Sequence, residues 1–158
     1  MANPRELSFE TRVRWTGAYV PGQTGARSYG RDMQVEPAGK PPIAGSAGAR
    51  YFGDDSRYNP EDLMLASLAE CHLLTYLALA TKAGVRFESL AIDITGVLGS
   101  VDGKTRFVRA TLRPTAVLVP GADRAVADAL HREAHEQCFM SNSINFPITI
   151  ELSPPADV

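Results

Sequence analysis

Between Asn59 and Gly84 the chain reads NPEDLMLASLAECHLLTYLALATKAG, and from Leu63 to Ala80 the only charged residue is Glu70. Asn59 suits an N-cap and Pro60 the first helical position. Glu61 and Asp62 sit where the positive helix end favours acids, and Lys82 where the negative end favours a base. Gly84 can close the helix in a left-handed conformation. The spacing therefore predicts a helix over about 60–83. A helix apolar on nearly every side must be surrounded by protein, whether a sheet, other helices or a partner subunit. That requirement constrains the fold more than any other feature of the chain.

The rest of the 158 residues must supply the cover. Phe9, Thr11, Val13 and Trp15 alternate with Glu10, Arg12 and Arg14, the pattern of a half-buried strand over 7–16. RDMQVEP reads as a second, short strand. Residues 37–58 form a long irregular segment, a length that in a compact domain points to function or mobility. After the helix, strands are expected at about 90–99 and 105–119, with Asp102-Gly103 marking a hairpin between them. A second helix over 121–138 places Val126, Leu130, Ala134 and Cys138 on one inward stripe. INFPITIEL closes the chain as a strand that Pro147 confines to an edge or bulge. The order ββ-α-ββ-α-β, with strands grouped in hairpins, predicts an α+β fold with mainly antiparallel pairing, in one domain covering 1–158.

Composition narrows the function. With 44% hydrophobic and 22% charged residues and a net charge of −2, the chain resembles an ordinary soluble globular protein. It lacks the basic stripe of a nucleic-acid binder. The N-terminus lacks the apolar core of a signal peptide, and the charge-free run Cys71–Thr81 is too short to span a bilayer. The expectation is a cytoplasmic protein with no membrane partner. Two cysteines are no disulfide framework, so in a reducing compartment Cys71 and Cys138 should be free thiols.

Both cysteines fall on inward helix faces and could meet. They could be plain core packers, since free cysteine is among the most buried residue types. They could also be a reactive pair, in which one thiolate attacks and the other resolves the product as a disulfide. Burial raises a thiol pKa, so an attacking cysteine needs a cation nearby. Arg50 and Arg57 lie just before the helix, Arg27 and Arg31 further back. Glu61 could orient such an arginine through a bidentate pair, although helix-end stabilisation alone explains an acid there. His131 and His135, at i, i+4, could chelate a metal, but they stand among Arg132, Glu133 and Glu136 on what reads as the solvated side. No zinc motif is present. His72 should point to a different side of the helix from Cys71. Ser67 and Ser141 lack a nucleophile-elbow context, and the glycine-rich turns form no phosphate loop.

The two cysteine segments together resemble the OsmC/Ohr family of thiol peroxidases. The first motif is Asn-Pro-Glu, then Leu, an Ala-rich stretch and a cysteine ten positions after the glutamate, as at Glu61 and Cys71. The second is a late cysteine ending a helix and followed by a serine, as in AHEQCFMSNSINFPITIEL with Cys138 and Ser141. The resemblance runs from the first strand to Leu152. It implies an OsmC-like fold, an intertwined homodimer with the central helices buried, and an active site at the dimer interface. It further implies a cofactor-free, metal-free enzyme of oxidative-stress defence. Cys71 attacks an organic hydroperoxide and becomes a sulfenic acid, Cys138 condenses with it, and Glu61 holds an arginine against the thiolate. Members are often recycled by dithiols such as lipoylated proteins. Arg50 best resembles the arginine of the OsmC branch, with Arg27 as the rival from the Ohr branch and Arg57 also within reach in sequence. Two departures mark a side branch: Phe139 stands where proline often follows the second cysteine, and the segment before Asn59 is longer. Two other readings remain. One is a small-molecule or lipid-binding, or redox-sensing, dimer of the same fold. The other is a zinc-stabilised interaction domain.

Overall fold

A computed structural model of the protein describes residues 6–152. The chain divides between two compact units, with the boundary between Leu63 and Met64. In the first unit, β1 (Thr11–Trp15), β2 (Met33–Pro37) and β3 (Ile43–Gly45) form an antiparallel sheet in that order. Val13 lies opposite Val35, which lies opposite Ile43. On the other face Arg14 reaches Gln34 and Glu36, at 2.5 and 2.8 Å. The alternation along β1 is as expected, but burial of one face is not. All five β1 residues are exposed, Val13 by 61%. The apolar face borders a hollow of about 220 Å³ lined by Val13, Met33, Val35, Tyr58 and Leu63.

The segment 37–58 is more ordered than its composition suggests. It contains β3 and a 3-10 turn, Ala49–Tyr51, neither expected from sequence. Polar side chains do the work of a ladder: Asp55 accepts from the Ala49 N–H at 2.6 Å, and Ser46 from the Asp54 N–H at 3.1 Å. Phe52 takes a left-handed backbone, φ 64°. At Gly53 a Cβ would stand 1.7 Å from the Ala47 carbonyl oxygen, so only glycine fits.

The central helix α1 (Pro60–Lys82) starts in the first unit and runs on through the second. Its start is a reciprocal cap: Asn59 Oδ1 accepts from the Asp62 N–H at 2.8 Å, and Asp62 accepts from the Asn59 N–H at 3.2 Å. Gly84, at φ 75°, ends it, and the Val85 N–H closes onto the Ala80 carbonyl at 2.9 Å. The expected surrounding by protein is met on one side only. Leu68, His72, Tyr76 and Ala80 form a buried stripe at i+4 spacing, whereas Met64, Leu74 and Leu77 are exposed, Leu74 by 61%. By length and composition α1 is also apolar enough to cross a membrane. The shorter run considered from sequence stopped at Glu70, a single charge that a 23-residue helix absorbs.

In the second unit, β4 (Phe87–Val101) and β5 (Lys104–Leu118) form a long hairpin. Its turn residues Asp102 and Gly103 both have positive φ, 51° and 73°, the two-residue turn that sequence called for. β6 (Ile148–Ile150) adds to β5 in parallel, an exception to the antiparallel expectation, and lies at the sheet edge as Pro147 requires. Helix α2 (Arg124–Gln137) is capped by Asp123, which accepts from the Ala125 and Val126 N–H groups. Its inward stripe is Ala127, His131 and Ala134, followed by Cys138. Of the stripe expected from sequence, Ala134 and Cys138 are buried and Leu130 packs against the core, whereas Val126 is 39% exposed. Ala127 and His131 complete the buried face in its place. Tyr76 and Ala80 of α1 pack with Val85, Ala127 and Ala134, flanked by Phe87, Leu90 and Leu118.

Candidate active site

Cys71 lies mid-way along α1 and Cys138 caps the C-terminus of α2. These helices bring the two thiols close enough for each to influence the other's proton affinity. Both are free; Cys71 is half-buried and Cys138 fully buried. The chain after Cys138 folds back tightly. The Asn142 N–H donates to the Cys138 carbonyl at 3.1 Å, and the Asn142 side chain to the Glu136 carbonyl at 3.0 Å. Ser143 Oγ donates to the Phe139 carbonyl at 2.7 Å. Backbone N–H groups of this turn favour the charged form of both thiols: those of Met140 and Phe139 act on Cys71, those of Ser141 and Met140 on Cys138. Successive N–H groups of this kind form a small cradle for negative charge.

The sulfurs respond differently. Burial pushes the Cys71 thiol up from its ordinary value, and the Met140 N–H only partly offsets this; the neighbouring Cys138 charge adds to the rise. Burial also raises Cys138, but the Ser141 hydroxyl and N–H, with a donated bond from Cys71, outweigh it and hold Cys138 below its ordinary value. The depressed thiol expected at Cys71 is thus found, within this chain, at Cys138.

The same two helices carry the chain's three histidines. His72 and His131 are 0% and 4% exposed, and His135 is half-buried. This corrects the solvated placement of His131 and His135: α2 turns that face against α1. His72 Nε2 and His131 Nδ1 share a hydrogen bond of 3.1 Å, and Tyr76 stacks on His131 at 3.9 Å between centroids. The Tyr76 hydroxyl donates to the Ala127 carbonyl at 3.1 Å. Burial, with the nearby charges of His131 and His135, pushes His72 down to about 4. Burial pushes His131 to about 4 as well, although Asp128 pulls the other way. As expected, His72 lies on a different side of α1 from Cys71. Among the described residues no group of three or more His, Cys, Asp or Glu side chains could hold a metal ion.

Arg50, Glu61, Arg27 and Arg57 belong to the first unit. Arg50 is exposed at the 3-10 turn, and Glu61 sits in the first turn of α1. Arg57 pairs with Asp54 at 3.4 Å and Asp32 at 3.7 Å. Arg27 lies over the Phe52 ring at 5.2 Å, and Arg31 over Tyr29 at 4.0 Å and Phe52 at 5.5 Å. Sequence reasoning weighed Ser141 and the three histidines but assigned none of them to the site. Both depend on which faces of α1 and α2 meet, and the only sequence signal was Ser141 three residues after Cys138.

A chain with a long apolar helix packed on one side against a second helix, together with a long β-hairpin, has structural counterparts. The family model for OsmC-like proteins matches residues 53–153, and the chain belongs to that family. It is 26% identical to an OsmC-like protein of unknown function, VCA0330, from Vibrio cholerae, with a TM-score of 0.84 over 94% of this chain and 100% of that one. An organic hydroperoxide resistance protein OsmC from Legionella pneumophila shares the fold at TM-score 0.68 and 20% identity, over 92% and 95% of the two chains. OhrB of Bacillus subtilis shares it at 0.66 and 20%, over 93% and 98%. Among curated proteins, the uncharacterized protein YmaD of Bacillus subtilis is 27% identical over 97 residues, 60% of this chain and 65% of its own length. The match thus spans just under two thirds of that relative.

Proposed function

We propose that the protein is a cysteine-based peroxidase that reduces organic hydroperoxides in oxidative-stress defence. The observation that carries the reading is the adjacency of Cys71 and Cys138, two free thiols under a cradle of N–H donors. The more exposed sulfur, Cys71, attacks the peroxide and Cys138 resolves the sulfenic acid as a disulfide. Membership of the OsmC-like family supports this, as do the hydroperoxide-resistance names of fold relatives. Arg50 is assigned the cation that lowers the proton affinity of Cys71, with Arg27 and Arg57 as rivals, and Glu61 the group that orients it. The proton affinity of Cys71 within this chain makes such a cation necessary.

The working form is a homodimer. The exposed leucines of α1 and the open face of β1 are apolar surfaces that a second copy would bury. The reductant is a dithiol, such as a lipoylated protein, and the reducing cytoplasm is the assigned compartment. The competing reading, a ligand-binding or redox-sensing dimer, draws on the same raised proton affinity of Cys71, which suits an inert thiol.

Mass spectrometry separates the two. The reduced protein is treated with one equivalent of cumene hydroperoxide and digested without reductant. A Cys71–Cys138 disulfide within seconds is expected. Free thiols beside unconsumed peroxide would sink the peroxidase and leave the binding protein.

A further inference from the structure

Between α2 and β6 lies an open cavity of about 440 Å³, a size common among small-molecule sites. Its apolar wall is Ile148, Ile150 and Leu152, on and just after β6. Its polar wall comes from α2 and includes Asp128, His131, Arg132 and His135. Among the described residues neither cysteine lines it, nor does any residue of α1 or β1, the surfaces assigned above to a second copy.

The charges on the polar wall are unequal. Asp128 is already held by Arg124 at 2.8 Å. Arg132, exposed and one turn further on, makes no ion pair among the described residues. The wall thus carries one uncommitted positive charge. His131, only 4% exposed, has one ring nitrogen accounted for, since Nδ1 shares the 3.1 Å bond with His72 Nε2. The far end of that bond assigns the protons. His72 Nδ1 is buried and has no partner among the described residues. Buried N–H groups are orphaned more rarely than buried acceptors, so Nδ1 is the bare nitrogen. The His72 proton is therefore assigned to Nε2, which donates to His131 Nδ1. Burial keeps the His131 ring neutral, at about 4, and its one proton then sits on Nε2. His135 Nδ1 is also buried without a partner, and the same reasoning puts a proton on its Nε2. A guanidinium and two imidazole N–H donors therefore stand opposite an apolar strand.

We propose that this cavity binds a carboxylate with an apolar tail, such as a medium-chain fatty acid, with its head on Arg132 and the His131 Nε2–H and its tail on Ile148, Ile150 and Leu152. The carboxylate accepts charge-assisted bonds from the guanidinium and an N–H bond from the imidazole. An inorganic anion would leave the apolar wall wet, and an alcohol of the same tail would leave Arg132 without a counter-charge. No thiol takes part, so the site stands apart from the peroxidase reading.

The test is calorimetric titration of the full-length protein with octanoate, and with 1-octanol and octylammonium as probes of the same tail. Octanoate should bind about tenfold or more tighter than octanol, and octylammonium more weakly still. Arg132→Gln should lower the octanoate affinity about tenfold and leave that for octanol unchanged. No heat with millimolar octanoate overturns the proposal, as does octanol binding as tightly or an octanoate affinity that survives Arg132→Gln. A second readout is the long-range 1H–15N spectrum of the histidines. It should show the His131 proton on Nε2 and a shift of that nitrogen as octanoate is added. A proton on Nδ1, or a signal that octanoate does not move, overturns the proposal too. Neither measurement uses peroxide, so a protein that consumes none would lose the peroxidase reading and leave this one to be decided by its own data.

Discussion

The contact between α1 and α2 buries two polar groups, and they behave in opposite ways. At one end Cys71 and Cys138 meet under N–H donors from the turn after α2. A turn away, His72, His131 and Tyr76 form a flat stack, with ring planes within 3° to 5° of one another. Burial disfavours charge at both. At the cysteines, donors aimed at sulfur overturn that cost for one of the two. At the histidines burial prevails: Asp128 only partly offsets it at His131, His72 Nδ1 has no partner among the described residues, and both buried rings stay neutral. Depth alone therefore does not make a reactive site. What matters is which way the neighbouring dipoles point.

The sharpest way to break this comparison is Cys71→Ser. Hydroperoxide consumption should fall to the background rate while thermal unfolding stays within a degree or so of wild type. Retained turnover would move the chemistry away from the pair.

Next in size is the acid response of the histidine stack. In the unfolded chain these rings titrate near 6.5, whereas in the fold His72 and His131 titrate at about 4. Between those values the unfolded chain holds more protons, so stability rises with pH. It should be complete above pH 6.5 and drain away as pH falls toward 4, by on the order of 3 kcal/mol per histidine. Urea midpoints across that range measure it. His131→Phe should flatten the profile, and a profile already flat in wild type would place the rings in contact with water.

Gly96→Ala probes the scaffold common to both sites. A Cβ there would stand 2.5 Å from the Phe107 ring and 2.7 Å from Leu65 of α1. The strain should cost about 1–3 kcal/mol and disturb the thiol titration together with stability. An effect on one site alone would mean that α1 does not carry them as a unit. The smallest change is Tyr76→Phe, which keeps the ring on His131 and removes the bond to the Ala127 carbonyl. A loss of about 1 kcal/mol in chemical denaturation, with peroxide turnover unchanged, is expected. A larger loss would show that the hydroxyl anchors the helix pair.

Local signals in the chain were enough for the caps of α1, the Asp102-Gly103 turn and the β-hairpin, because each depends on residues adjacent in sequence. Cys71 and Cys138 were legible for a related reason: few residue types carry their chemistry, and both fell on apolar segments. Segment 37–58 was harder to read, since side chains such as Ser46 and Asp55 cap its backbone in place of a regular ladder. On α2 Ala134 and Cys138 were read correctly, but the contact with α1 buries Ala127 and His131 and leaves the more hydrophobic Val126 exposed.

The sequence by itself thus determined the order of elements, the long apolar helix and the two thiols, all set by short-range backbone preference and hydrophobic spacing. Only the tertiary structure decided that His72 and His131 would be buried where these helices meet, and which sulfur would hold its proton less tightly. Those outcomes depend on the rotation of one helix against another and on where a turn points its N–H groups, and neither is encoded in any single stretch of chain.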